Sequence, residues 1–218
     1  MINAMSLIFQ ESSMKGCLYI ISAPSGAGKT SLVGKLIQQD NAIMVSVSST
    51  TRDKRPGEED GVNYHFLSVD SFNEKISQGD FLEHAQVFDN FYGTSKSSVE
   101  QQLKAGKDVI LEIDWQGAEQ VRKLMPEAIS IFILPPSRDE LHRRLTGRGT
   151  DSAEIIERRM EEAESEMSHY AEFDYIVINN NFDIALHELQ TIFIAQRLTQ
   201  IRQAEIHKNL ISGLLKTN

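Results

Sequence analysis

Residues 17–30 read CLYIISAPSGAGKT, and this stretch decides the fold of the 218-residue chain. Its apolar first half predicts a buried strand, and the apolar periodicity after Thr30 predicts a helix. Gly26 and Gly28, in the loop between them, let backbone N–H groups turn inward around phosphate oxygens, while the helix N-terminus adds partial positive charge. The stretch therefore predicts a phosphate-binding P-loop between a strand and a helix.

Individual residues of this loop have separate expected roles. Lys29 is predicted to reach the β- and γ-phosphates of a nucleotide, and the hydroxyl of Thr30 is predicted to hold Mg²⁺. Ala23 stands at the first position of the loop, where the usual pattern has glycine and alanine is a tolerated variant. The residues predicted to bind the nucleotide are Ala23, Pro24, Ser25, Gly26, Ala27, Gly28, Lys29 and Thr30.

Short apolar runs alternate with amphipathic helical stretches along the chain, at residues 17–22, 108–113, 128–134 and 174–179. This alternation is typical of an α/β fold whose parallel strands are covered on both faces. Periodicity alone does not separate such runs from buried helix segments, but their length and flanking turns favour strands. We therefore predict a P-loop core with a central parallel sheet flanked by helices.

Two carboxylates, Glu112 and Asp114, lie at the end of the run at 108–113. Residues two apart on a strand point to the same side, so both are expected to face the loop. Carboxylate oxygens suit Mg²⁺, and we predict Glu112 as the magnesium partner alongside Thr30. The alternative is that one of the pair only caps the turn at residues 115–117.

Composition and charge exclude several classes of protein. The 22 basic and 31 acidic side chains give a formal charge of −9, which argues against a broad nucleic-acid-binding surface. The single cysteine, Cys17, cannot form an intramolecular disulfide and suits a reducing compartment. No apolar run approaches the ~18 residues of a membrane span, and the first residues lack the pattern of a secretory signal. We expect a cytoplasmic protein that binds neither nucleic acid nor membrane.

The C-terminal stretch predicts one or two helices with an apolar stripe close to helical spacing. A face turned to the core explains such a stripe, and a contact between copies of the chain is the alternative, so a homo-oligomer through these helices stays open. The stripe consists of Ile184, Leu189, Ile192, Phe193, Leu198 and Ile201.

About sixty residues of different character precede the run at 108, and they carry the most specific signal. Residues 46–58, SVSSTTRDKRPGE, and residues 61–66, GVNYHF, closely resemble the GMP-binding segment of guanylate kinases. The resemblance extends over residues 16–200. Its other matching parts are the loop at 23–30, Glu83, Tyr92-Gly93-Thr94, the segment LEIDWQG at 111–117, Arg144 and Arg148-Gly149-Thr150.

This resemblance implies transfer of the γ-phosphoryl group of ATP to GMP with Mg²⁺. It also implies a set of acceptor-binding residues. Guanidinium groups bind phosphate oxygens two at a time and phenol hydroxyls add neutral donors, which agrees with the four residues that the family uses for the GMP phosphate. Those four are Arg52, Arg55, Tyr64 and Tyr92; the guanine-reading positions are Ser48, Glu83, Thr94 and Asp114; Glu58 is carried over without a firm role. Taken alone, Thr94 has a second interpretation, as the cap of the helix that begins near Ser95.

A basic lid and the adenine side complete the implied site. By the resemblance, Arg144, Arg148 and Arg159 close over the ATP phosphates and act with Lys29 in catalysis, which for phosphoryl transfer consists of positioning and charge neutralisation. Asn179 matches the family's adenine-side position. Many relatives have Asn-Asp-Asp there, whereas residues 179–181 of this chain are all asparagine, which puts details of that pocket in doubt.

These assignments predict a division of the chain. The P-loop core takes residues 15–46, 95–141 and 160–218, the GMP-binding subdomain 47–94, the lid 142–159, and an N-terminal extension 1–14. Three other functions compete with this interpretation: a kinase for another nucleoside monophosphate, a P-loop regulator that hydrolyses ATP, and a catalytically inactive guanylate-kinase-like module that binds phosphopeptides. An intact Gly28-Lys29-Thr30 argues against the module, because such modules usually have a damaged P-loop.

Overall fold

The computed structural model describes residues 14–87, 89–147 and 153–215. Its strands are β1 Leu18–Ser22, β2 Ile43–Val45, β3 Ser49–Thr50, β4 His65–Phe66, β5 Phe81–Val87, β6 Asn90–Ser95, β7 Asp108–Glu112, β8 Ile129–Leu134 and β9 Tyr175–Ile178. Its helices are α1 Lys29–Gln39, α2 Val69–Ser77, α3 Lys96–Lys104, α4 Trp115–Leu124, α5 Arg138–Thr146, α6 Ala153–Met167, α7 Phe182–Arg197, α8 Gln200–Ile206 and α9 Lys208–Leu214, with a 3₁₀ turn at Tyr170–Glu172.

A parallel sheet in the order β2-β7-β1-β8-β9 forms the centre of the molecule. Strand β1 is its middle strand, paired with β7 through Leu18 and Val109 and with β8 through Tyr19 and Ile129. The four strands predicted from apolar runs are all present. Sequence reasoning missed β2, an edge strand of three residues of which only Ile43 is buried.

Alternate residues of β1 face two different apolar layers, which is why the whole strand is buried. Tyr19 and Ile21 pack with residues of α1 and α7, and the ring of Tyr19 stacks on Phe193 at a centroid distance of 3.7 Å. Leu18 and Ile20 pack on the other face with residues of α3 and α4. Helices on both faces give the predicted α/β architecture.

A second, smaller sheet lies within the predicted insertion. Its strand order is β4-β3-β6-β5, with β5 and β6 antiparallel. Ser68 caps the N-terminus of α2, because its hydroxyl accepts from the Ser71 amide. The helix buries Phe72 against Phe81 and Phe91 of this sheet. Strands β3 and β4 have two residues each, too few for their periodicity to be read from the sequence.

The predicted C-terminal stripe divides between core and surface. Leu189, Ile192 and Phe193 of α7 are buried, whereas Leu198 and Ile201 are exposed. The helices number three rather than one or two in the described part of this stretch. Among the described residues, none of the helices is both long and apolar enough to cross a membrane.

Candidate active site

The predicted P-loop joins the carboxyl end of β1 to the first residue of α1. Gly26 and Gly28 have φ angles of 91° and 96°, a left-handed conformation that side chains other than glycine rarely adopt. A Cβ on Gly28 would also stand 2.4 Å from Nδ2 of Asn179. Both backbone angle and space therefore require glycine at position 28.

A cavity of about 290 Å³, here called the cradle cavity, opens on this loop. Lys29 and Thr30 both line it at the N-terminus of α1, where unpaired N–H groups and the helix dipole favour an anion. Burial lowers the pKa of Lys29, and the carboxylates of Glu112, Glu166 and Asp114 oppose that effect. The Lys29 side chain is half-buried, and the charges of these three carboxylates act on it. The lining residues are Ala23, Pro24, Ser25, Gly26, Gly28, Lys29, Thr30, Ser31 and Glu166.

Two side chains from distant segments brace the back of the loop at the carbonyl oxygen of Ala27. The buried amide of Asn179 donates to it at 2.7 Å, and Nη1 of Arg144 donates to it at 3.3 Å. Arg144 also donates to Glu140 at 2.8 Å and to the Asn179 carbonyl at 2.9 Å. In this structure both residues hold the loop, whereas the sequence expectations placed Asn179 at an adenine and Arg144 at phosphates.

A larger cavity of about 500 Å³, here called the inner cavity, lies beside the cradle cavity. It brings together side chains from the P-loop, the ends of β7, and the second sheet, which are far apart in the sequence. The lining residues are Ser25, Lys29, Ser48, Tyr64, Glu83, Ala85, Tyr92, Glu112, Ile113, Asp114 and Glu166. Six of the predicted acceptor residues and the predicted magnesium partner Glu112 therefore line this cavity or contact a residue that lines it, since Thr94 contacts both Ser48 and Glu83.

A short hydrogen-bonded row of side chains stands on one wall of the inner cavity. The Thr94 hydroxyl donates to Oε1 of Glu83 at 2.6 Å, and Oγ of Ser48 lies 3.3 Å from Oγ1 of Thr94. Burial raises the pKa of Glu83 to about 7, with the Asp114 charge adding to the rise and Thr94 opposing it. Thr94 thus gives its hydroxyl proton to Glu83, and in this arrangement the hydroxyl has no second proton to donate to guanine.

The carboxylate of Asp114 caps a helix and also faces a cavity. Its Oδ1 accepts from the Gly117 amide at 2.9 Å, which makes Asp114 the N-cap of α4. Asp114 also lines the inner cavity, so capping and ligand contact are compatible. The capping alternative for Thr94 is wrong, because the side chain that caps α3 is Ser95.

Glu58 organises the two predicted phosphate-binding arginines. Both of its oxygens accept from Nη2 of Arg52, at 2.8 and 3.1 Å, and Oε2 accepts from the Arg55 amide at 2.8 Å. The Arg52 guanidinium also lies 5.6 Å from the ring centroid of Tyr64, whose edge faces Tyr92. A positioning role for Glu58, which the sequence left open, follows from these contacts, while Arg55 remains exposed.

Helix α6 approaches the P-loop from the opposite side and contacts it at Ser25. Nη2 of Arg159 donates to Oγ of Ser25 at 2.8 Å, and the Ser25 amide donates to Oε2 of Glu166 at 3.2 Å. A third cavity of about 650 Å³, the outer cavity, lies between these residues and Trp115, which stacks on His169 at 3.7 Å. Glu166 was not predicted, since nothing in its spacing separates it from the other acids of α6. Arg148, predicted as a lid arginine, lies outside the described residues.

The chain is similar to known proteins over most of its length. The family model described as guanylate kinase matches residues 15–196. The guanylate kinase of Hydrogenovibrio crunogenus is 67% identical over 92% of this chain and 98% of its own, and that of Alkalilimnicola ehrlichii is 61% identical over 93% and 100%. The crystal structure of guanylate kinase from Anaplasma phagocytophilum, 32% identical, superposes with a TM-score of 0.72 over 90% of this chain and 95% of that one.

Proposed function

The chain belongs to the guanylate kinase family, and from that premise we infer that it transfers the γ-phosphoryl group of ATP to GMP. One observation supports the inference most directly. Lys29 of the P-loop lines the same inner cavity as Ser48, Glu83 and Asp114, the polar groups that suit a guanine edge. A donor phosphate at the lysine and a purine at the carboxylates would therefore share one cavity, as phosphoryl transfer requires.

On the donor side, we propose that the P-loop amides and Lys29 bind the β- and γ-phosphates of ATP. Pre-oriented N–H donors and a positive charge stabilise the charge that spreads over phosphoryl oxygens in the transition state. Asn179 supports this work by fixing the Ala27 carbonyl, and Arg144 adds to it until the lid closes. Their contribution is to keep the inward-facing amides in place.

Magnesium fits the residues that were predicted to hold it. The exposed hydroxyl of Thr30 and the carboxylate of Glu112 line adjoining cavities, and hydroxyl and carboxylate oxygens are ligands that Mg²⁺ prefers. No cluster of three or more metal-binding side chains occurs in the part of the chain that the structure describes. This agrees with an ion that is held mainly by phosphates and water. Bound there, it would neutralise charge on the β- and γ-oxygens.

On the acceptor side, we propose that Glu83 and Asp114 accept from the N1–H and N2–H groups of guanine. Ser48 then remains to donate to O6, because Thr94 already donates to Glu83. Arg52, Arg55, Tyr64 and Tyr92 would bind the GMP phosphate, with Glu58 holding Arg52 in place. Adenine presents a lone pair at N1, so a carboxylate there rejects AMP instead of merely failing to bind it.

For the lid, we propose that Arg159 and Arg144 move onto the transferred phosphoryl group when both substrates are bound, together with Arg148. Arg159 already reaches Ser25 of the P-loop at 2.8 Å, so a short displacement brings it to a phosphate in the cradle cavity. The division into core, GMP-binding subdomain at 47–94 and lid at 142–159 is retained as part of the same proposal. Closure of those two parts excludes water from the reaction.

The experiment that tests this function is a coupled assay of ADP formation from ATP and Mg²⁺. GMP, dGMP, AMP, UMP and CMP are offered in parallel to equal amounts of enzyme. GMP should be preferred over AMP by roughly 10⁴-fold in kcat/KM, because a hydrogen-bonding site leaves its carboxylates unpaired with the wrong base. Equal rates with AMP and GMP, or no ADP with any acceptor, would refute the proposal.

The phosphopeptide-binding alternative is not favoured. The cradle cavity keeps Gly28, Lys29 and Thr30 in a strand-loop-helix setting, which a module without catalysis has no need to maintain. We also propose a cytoplasmic location, and self-association through α8 and α9. The second proposal is supported by the exposure of Ile201, Leu210 and Leu214. Sedimentation of the full chain, compared with that of a chain ending at residue 199, tests this proposal. The same number of chains per particle in both would refute it.

A further inference from the structure

Glu166 occupies an unusual place for a carboxylate, because it stands at a loop built to bind phosphate. Together with Ser25 it lines the cradle, inner and outer cavities. Its Oε2 accepts from the Ser25 amide at 3.2 Å, and its charge acts on Lys29. A nucleotide phosphate bound at this loop would use the same two groups, the Ser25 amide and Lys29.

The same helix is held to Ser25 by a second side chain. Arg159 and Glu166 are seven positions apart, so they lie on one face of α6 about two turns from each other. Arg159 donates to the Ser25 hydroxyl while Glu166 accepts from the Ser25 amide. Ser25 of the P-loop therefore contacts side chains at both ends of this helix face. A change at one end is transmitted to the other because the helix is rigid.

Charge makes the arrangement incompatible with a bound donor. A phosphate at the Ser25 amide would meet the Glu166 carboxylate at close range, and like charges in a partly buried site repel strongly. In this structure the carboxylate partly compensates the charge of Lys29. Glu166 and a nucleotide phosphate would thus compete for the same groups, the Ser25 amide and Lys29.

Resting on the proposed function, we propose that Glu166 is a positioning residue that occupies the phosphate loop until ATP displaces it, which links donor binding to movement of α6 and Arg159. A ligand that binds one of two states has its affinity reduced by the fraction of protein in that state. Glu166 therefore weakens ATP binding. Because Glu166 and Arg159 lie on the same helix, Arg159 leaves Ser25 only when a donor is bound. Premature closure of the lid on an empty cradle is disfavoured by the same contact.

The test is isothermal titration of the full chain with a non-hydrolysable ATP analogue and Mg²⁺, without GMP. Glu166→Gln keeps the shape and removes the charge, and its Kd should be about tenfold lower than the parent's. Glu164→Gln is the matched control. Glu164 is on the same helix, is exposed and pairs with Arg138 at 3.0 Å, so its variant should bind as the parent does. In steady state, Glu166→Gln should lower KM for ATP without raising kcat, a division that a merely structural role would not produce.

A pH series gives a second readout. Burial raises the pKa of Glu166 above the usual 4.5, and the charges facing it are Lys29 on α1, Asp114 before α4 and Glu162 on α6. Protonation should release the loop, so the ratio of parent Kd to Glu166→Gln Kd should fall towards one as pH decreases. The nucleotide's own titration cancels in that ratio.

Several outcomes would overturn the proposal. An unchanged or higher Kd in Glu166→Gln, or a ratio that does not vary with pH, would show that Glu166 does not compete with the donor. If Glu166→Gln does not fold, Glu166→Asp, which keeps the charge but shortens its reach, must bind more tightly than the parent by the same measurement. Absence of binding in the parent itself would instead refute the proposed function.

Discussion

The cradle and the inner cavity are built in different ways, although Lys29 lines both. The cradle presents backbone N–H groups, fixed by two glycines with positive φ and by a brace at the Ala27 carbonyl. The inner cavity presents side chains that hold one another, such as Thr94 on Glu83 and Glu58 on Arg52. Backbone donors bind any phosphate in the same way, whereas interlocked side chains are able to distinguish one purine from another. Under the proposed function, the cradle would bind phosphates and the inner cavity would select the base.

The largest effect is expected at the shared residue. Lys29→Met should lower kcat for ADP formation by about 10²- to 10³-fold, because one pre-oriented charge on the reacting phosphoryl group is lost. The fold should be kept, since the lysine is half-buried at a cavity and not in the core. Circular dichroism and thermal melting control for folding. Transfer close to the parent's rate would remove the assignment of the cradle.

A change confined to the selective wall should have a narrower effect. Glu83→Gln should lower kcat/KM for GMP by about 10- to 100-fold, since an amide presents N–H₂ where guanine also has donors. Affinity for the ATP analogue should stay as in the parent. Glu100→Gln is the control, because Glu100 is a part-exposed residue of α3 that lines none of the three cavities. A Glu83→Gln variant as active on GMP as the parent would contradict the model.

The ionisation of Glu83 should make KM for GMP depend on pH, by about tenfold or less. Burial raises the pKa of Glu83 to about 7, so the fraction able to accept two guanine donors rises between pH 6 and pH 8. KM for GMP should fall over that range in the parent and not in Glu83→Gln.

The rise in pH that improves GMP binding through Glu83 should reduce the stability of the fold. The pKa in the folded state lies above the unfolded value of 4.5, so folding favours the protonated form. The free energy of unfolding should therefore decrease as pH rises from 4.5 to about 7, by up to about 3 kcal/mol, and level off above. Chemical denaturation at several pH values checks this, and Glu83→Gln should lack that decrease.

The smallest effect is expected where one side chain only orients another. Glu58→Gln should raise KM for GMP by about fivefold and leave kcat unchanged, because Arg52 loses its bidentate partner but keeps its charge. Glu59→Gln, at the exposed neighbouring position, is the control. If both variants raise KM equally, the effect is one of general charge in the loop and not of Arg52 orientation.

The two regions also differed in how far the sequence predicted them. The cradle could be read from residues 17–30, because its strand, glycines and lysine are contiguous. The inner cavity draws on β3, β5, β6 and β7, so only a resemblance to a known family brought Ser48, Glu83 and Asp114 together in advance. Neither the contiguous motif nor the resemblance predicted how the site residues contact one another. Thr94 donates to Glu83, and Asn179 donates to the P-loop, because of distances that appear only in the folded chain.

Other parts of the molecule were missed for lack of a signal. Strand β2 has three residues, and an apolar run so short is indistinguishable from a loop. Glu166 is one of several acids on α6, and helical periodicity alone does not indicate which of them faces the P-loop. The C-terminal stripe was ambiguous for a physical reason, since Leu189, Ile192 and Phe193 of α7 are buried, whereas Ile184, Leu198 and Ile201 are exposed.

The brace between Asn179 and Ala27 joins residues 152 positions apart, and this separation has a consequence for synthesis of the chain. The P-loop is made early, but β1 needs β7 and β8 as neighbours, and its loop needs a residue that follows β9. Contacts so distant in sequence form slowly, and a chain still on the ribosome lacks them. A nascent chain shorter than about 180 residues should therefore expose the complete GKT motif without retaining ATP. The first binding motif to be translated is among the last to acquire its shape.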